Sequence, residues 1–116
     1  MAEEAIKKKL NHAKRSACKL LSSAGYKTER ASNDIYCVVA MRDTEWRAIK
    51  IGIKSITACP WFIQEVRKLE RLPCPNPKTI KKEVWLRSDG EHLFYQYHWD
   101  GSQWIDEDGE PTNLLN

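Results

Sequence analysis

Lysine and arginine crowd the first half of this 116-residue chain: residues 1–54 hold twelve of them against six Asp/Glu, a net of +6. Residues 100–116 reverse the sign, with five acids and no base. Clustered cations release counterions when they meet phosphates, so the basic half points to a polyanion such as DNA. Lys8, Arg15 and Lys19 share one flank of a helical pattern, with Lys7 and Lys14 alongside, although a solvated helix face is the ordinary meaning of such a stripe. Lys8, Arg15, Arg30 and Lys54 are the expected phosphate contacts. Phe94, Tyr95, Tyr97, Trp99 and Trp104, with Trp85 nearby, form an aromatic cluster. Such rings stack nucleobases, pair across strands, or make the face of a homodimer or another protein complex. His92 and His98 share a strand face but lie six residues apart, too far to share a metal ion. Cys18, Cys37, Cys59 and Cys74 form no CxxC pair and no zinc spacing, and read as small hydrophobes in a reducing compartment. P-loop, GxSxG and dinucleotide glycine patterns are absent, which argues against those enzyme classes.

The elements that would position these residues follow from periodicity. Ile6, Leu10, Ala13, Ala17, Leu20, Leu21 and Ala24 recur at three- and four-residue steps, predicting a helix over 3–24 that Gly25 stops. Residues 26–31 alternate as a strand, and Ser32-Asn33-Asp34 is turn chemistry. The run Ile35–Met41 is continuously apolar, as expected of a central strand covered on both faces, and Glu45–Ile53 makes a third strand of the same meander. Pro60 opens a second helix, with Phe62, Ile63, Val66, Leu69 and Leu72 as its core face and Pro73 beyond its end. Strands are expected at 82–87 and 92–99, with a short last one at Trp104-Ile105, before an acidic tail from Asp106.

Length and composition suit one domain with a real core: 41% of residues are apolar and 30% charged. No run is long and apolar enough for a membrane span, and no apolar segment opens the chain, so the cytoplasm is the expected location.

The order αβββαββ describes a mixed sheet flanked by helices. Gly25-Tyr26, Glu29-Arg30-Ala31, Asn33-Asp34-Ile35 and Ala48-Ile49-Lys50 follow one another along it. This pattern resembles the core of the PD-(D/E)XK nuclease superfamily, most closely the archaeal Holliday-junction resolvases and their relatives. In that family a Gly ends the first helix, an Asp begins the second strand, and the third strand carries Glu-x-Lys or Asp-x-Lys. The resemblance covers about residues 3–70 and extends loosely to Trp99. It implies an α/β (α+β) restriction-endonuclease-like fold over residues 1–105, leaving 106–116 as a flexible acidic tail.

Phosphodiester hydrolysis needs divalent metal held by carboxylates, and a nearby lysine to orient water or stabilise the transition state. Acid and lysine stand two apart because that spacing puts both on one strand face. The resemblance therefore implies Asp34 as a metal ligand and catalytic acid, Lys50 as the catalytic lysine, and Mg2+ as the ion. Gln64 matches a helix position where some relatives place a Gln. The sequence departs from the pattern at Ala48, where the second acid belongs, and at Lys14, near the position of the first-helix Glu. Glu45 has the wrong parity to replace the acid, so Glu29 is the expected second metal ligand, and Glu65 is a further acid within reach of the cleft. The expected function is a nucleic-acid-associated protein of nuclease-like fold, catalytically impaired or dependent on migrated acids. The alternative is a non-catalytic interaction module that uses the aromatic strand face.

Overall fold

The computed structural model describes residues 3–31, 33, 35–73, 80–88 and 93–115. Helix α1 (Glu3–Ser23) leads into strands β1 (Lys27–Arg30), β2 (Val38–Arg42) and β3 (Glu45–Ile53). A 3-10 turn (Lys54–Ile56) and helix α2 (Pro60–Arg71) then cross to β4 (Ile80–Arg87), β5 (Phe94–Trp99), β6 (Trp104–Ile105) and β7 (Pro111–Thr112). The strands form one sheet in chain order, antiparallel throughout except where β3 pairs β4 in parallel. This is the expected mixed α+β arrangement, a mixed sheet flanked by helices. Parallel neighbours need a crossover, and α2 supplies it.

Alternation on β3 divides the core between the two helices. Ile49 and Ile51 face α1, where Ala13, Ala17 and Leu21 are buried, and their small size lets the helix lie close to the sheet. Lys50 and Gly52 face α2, whose Phe62, Val66 and Leu69 bury against Val84 and Leu86. Fully burying each large apolar side chain is worth about 1.5–3 kcal/mol, so the Phe62–Val66–Leu69 stripe is what holds α2 on the sheet. Gly52 makes that contact possible. A Cβ built there would stand 2.7 Å from the Phe62 ring and 3.0 Å from Leu86.

The helix ends follow the sequence signals. The Tyr26 N–H donates to Leu21 O (3.0 Å) and the Gly25 N–H to Ser22 O (3.1 Å), with Gly25 at φ +90°. That left-handed glycine closes α1 as expected. At the other helix, Lys82 Nζ donates to the carbonyls of Glu70 (2.9 Å) and Leu72 (2.6 Å), satisfying acceptors that the end of α2 leaves open.

Two expectations are corrected. The apolar run from Ile35 does not form one long strand covered on both faces: β2 starts at Val38, and Val39 and Met41 are only half-buried. Asn33 Oδ1 accepts from the N–H groups of Ile35 and Tyr36 (both 2.9 Å), so local side-chain bonding takes the backbone donors that a strand would have used. The longest buried run on a strand is instead that of β3, from Ala48 to Ile53, despite its lysine. The second correction concerns the stretch from Asp106, read from sequence as a flexible acidic tail. It folds back as β7, and Leu114 is buried in the α2-side core. Asp106 Oδ1 accepts from the N–H groups of Asp108 and Glu110 (2.9 and 3.0 Å), with Gly109 at φ +82°. Acids that build their own turn read in sequence like a solvated tail.

Two measurements check this packing. Gly52→Ala should cost about 1–3 kcal/mol in urea denaturation, because the added methyl must push Phe62 away. Burial, reinforced by the Asp106 and Glu107 carboxylates, holds the Tyr97 phenol above its ordinary value. The unfolded chain therefore loses this proton first, and the associated stability is present below the unfolded pKa and lost as pH rises through the folded one. Asp106→Asn with Glu107→Gln should move the Tyr97 absorbance titration to lower pH, while an unmoved titration would place the 106–110 turn away from β5.

Candidate functional site

Lys50 is the chemistry-bearing residue that the fold isolates most clearly. It sits mid-strand on β3, only 4% exposed, and points toward α2. Its ammonium bonds the Glu65 carboxylate, and Nζ lies 5.9 Å from the Phe62 ring centroid. Glu65 occupies α2 one turn after Phe62, on the flank of the buried stripe, so the packing that seats α2 also delivers this acid to the lysine. Ala48, two residues before Lys50, is buried on the same face. The carboxylate facing Lys50 thus comes from the following helix and not from its own strand.

The other expected residues are dispersed. Asp34 lies outside the described residues. Glu29 shares the Lys50 face through the cross-strand row Glu29–Val39–Ala48, but it is exposed and two strands from Ala48, roughly 10 Å of sheet. Gln64 is exposed on α2. Lys8 and Arg15 are exposed on α1, across the sheet from Lys50, and Arg30 is exposed on β1. Lys54 is exposed with Nζ 3.7 Å from the Tyr95 ring centroid. On the aromatic strand, Phe94 packs on Trp85 (5.5 Å between centroids) and Trp99 on Trp104 (5.3 Å). His98 is exposed, and His92 and Cys74 lie outside the described residues.

A second constellation escaped the sequence reading. On the α1 face, Arg47 forms a two-pronged pair with Glu83, Nε to Oε2 and Nη2 to Oε1, each at 2.5 Å. Trp85 Nε1 donates to the same Glu83 carboxylate at 2.9 Å. Arg47 lies over both Tyr26 (5.1 Å) and Trp85 (5.4 Å), while Arg42 covers Tyr26 at 4.3 Å and donates to Ala24 O at the end of α1. Burial lowers the Arg47 pKa, but the bonded Glu83 carboxylate outweighs it and leaves the guanidinium more firmly charged. Burial likewise raises Glu45, yet the Tyr26 hydroxyl (3.1 Å) with Lys81 and Arg47 brings its pKa below the ordinary carboxylate value. Glu45 thus serves this face and not Lys50, as its parity requires. Tyr26, Arg42, Glu45, Arg47 and Glu83 border an open cleft of ≈ 1020 Å³ that continues past Lys81, Lys82 and His98. The available signal was Glu83 just before the apolar Val84-Trp85-Leu86, but its partner appears only when β3 and β4 pair in parallel, with Ile49 opposite Glu83.

Among the described residues, no group of three or more His, Cys, Asp or Glu side chains is placed to hold a metal ion. Glu65 is bonded to Lys50, and Glu29 stands apart from both. The described donor set does not fit Mg2+.

No protein-family model matches the chain, and no curated protein matches it. Among solved structures, it is similar to Hjc, a Holliday junction resolvase from the archaeal hyperthermophile Archaeoglobus fulgidus. The TM-score is 0.49 and the identity 13%, over 83% of this chain and 85% of that one. At that level the likeness concerns the arrangement of elements alone.

Arg47→Met should cost about 3–5 kcal/mol in chemical denaturation, since it leaves the Glu83 carboxylate buried with the Trp85 indole N–H still donating to it. Adding Glu83→Gln removes the stranded charge and should recover much of that loss. Strictly additive effects would show that the two side chains are not energetically coupled.

Proposed function

We propose that this chain is a nucleic-acid-associated protein of nuclease-like fold whose hydrolytic chemistry is impaired. The observation that carries the reading is the state of Lys50: buried, bonded to Glu65, with Ala48 where the nuclease pattern has its acid. A lysine that orients attacking water must face the scissile phosphate beside a metal, and this ammonium is engaged by a carboxylate from α2. Glu65 is the migrated acid of this reading. It balances Lys50 electrostatically, and the pair then serves the packing of α2 more directly than it serves hydrolysis. The unpaired cations of the first half support association with a phosphate backbone.

A second reading, a protein-interaction module, is favoured by exposed aromatic surface. Trp46 is 48% and Trp61 41% exposed, whereas Phe94 and Trp104 of the expected aromatic face are buried. This reading moves the contact from β5 to two separate points, Trp46 at the start of β3 and Trp61 in the first turn of α2 beside the far end of that strand.

Branched and linear DNA, incubated with the protein and Mg2+ at low salt, separate these readings. Binding with cleavage at background is expected. Ala48→Glu should raise divalent-ion binding in calorimetry, at a stability cost of about 1–3 kcal/mol for a carboxylate placed in a buried position. Vigorous Mg2+-dependent cleavage by the unaltered chain, lost in Lys50→Ala, would overturn the impairment. Absence of any nucleic-acid binding at low salt would leave the interaction module as the better account.

A further inference from the structure

Much of the positive charge of the sheet is neutralised in place. On the sheet and α2, Arg47 is paired with Glu83, Lys50 with Glu65, Arg67 with Glu70 and Lys81 with Glu45. Exposed cations remain on β1 (Lys27, Arg30) and at the end of α2 (Lys68, Arg71), but the longest row of them lies on α1. Helix α1 holds six Lys/Arg, and its two acids, Glu3 and Glu4, both lie in its first turn. Lys8, Arg15 and Lys19 are exposed and have no ion-pair partner among the described residues. At about 100° per residue these three, with exposed His12 between them, fall within a stripe of roughly 60°. Ala13, Ala17 and Leu21, all buried, define the opposite side of the helix. The stripe therefore points directly away from the sheet, and at 1.5 Å per residue it runs about 16 Å from Lys8 to Lys19.

We infer that the outer face of α1 is a ridge for a nucleic-acid sugar–phosphate backbone, on the side of the sheet opposite Lys50. This rests on the nucleic-acid reading above and specifies its surface. A row of long cations with an acid in line only at its start, Glu4, is complementary to a phosphate row, and it reads no bases. Because α1 and Lys50 address opposite faces, backbone binding is independent of divalent metal and of the Lys50–Glu65 pair.

The test measures binding of a labelled duplex and a labelled single strand across a salt series, with Mg2+ and with EDTA. With three or four phosphate contacts, log K should fall against log salt with a slope of about −3 to −4 on duplex. Lys8→Glu with Arg15→Glu should lower affinity at least about tenfold on every sequence and reduce the slope by about two. Circular dichroism and a denaturation midpoint confirm that the variant is folded, as expected for changes on the solvent side of the helix. Lys50→Met, if folded by the same criteria, and EDTA should each leave affinity within about twofold, well under the tenfold step that corresponds to 1.4 kcal/mol. Nucleic-acid binding that persists in the α1 variant, or that needs Mg2+ or Lys50, overturns the ridge while keeping the broader reading. A protein that binds phosphatidylserine vesicles through Lys8 and Arg15 but no nucleic acid overturns both.

Discussion

The parallel seam between β3 and β4 is the constraint on which the rest of the structure depends. Each neighbouring pair on either side of it is antiparallel, while the seam joins Ile49 to Glu83 across 34 positions of sequence. Three interactions converge there. Arg47 and Glu83 clamp it on the α1 face, under Tyr26 and Trp85. Gly52 admits Phe62 on the α2 face, which seats the crossover helix. Lys82 then bonds the carbonyls at the end of that helix. A charged pair in such a place is a poor source of net stability but a strict arbiter of register, since a shift of one residue would strand both charges.

The same seam explains what the sequence disclosed and what it withheld. Helix α1 was legible because its apolar positions repeat regularly and Gly25 supplies a left-handed stop. The β2–β3 hairpin was legible because its turn, Asp43-Thr44, is short and local. The long buried run of β3 was not, because the strand carries Trp46, Arg47 and Lys50, and only the tertiary arrangement gives each of them a partner or an outlet. The β6–β7 hairpin was hidden for a different reason: Asp106, Asp108 and Glu110 look like solvated charge until Asp106 is seen accepting backbone hydrogen bonds. Of the candidate site, the missing acid at Ala48 was visible in sequence, and so was Glu65 as an acid on the next helix. That Glu65 and Lys50 meet follows from the Phe62–Gly52 contact, which no periodicity reveals.

Placement also separates roles that a linear reading merges. The basic residues of the first half look like one population in sequence. In the fold, Arg42, Arg47 and Lys50 are absorbed by aromatic rings, carboxylates and carbonyls, and Lys8, Arg15, Lys19 and Arg30 remain facing solvent. Charge count alone overstates what is available to a partner.

The two borders of the sheet carry a consequence of their own. An open seven-stranded sheet ends in rows of unsatisfied backbone groups, which invite strands from other chains. Here β1 presents Lys27, Glu29 and Arg30, all exposed charges, along one border. The other border is β7, two residues long, one of them Pro111, which has no N–H to donate. Both margins are blunted against strand addition, so growth of the sheet into a continuous intermolecular one is disfavoured at either end. Self-association of this chain, where it occurs, is directed to helix or sheet faces and away from backbone pairing.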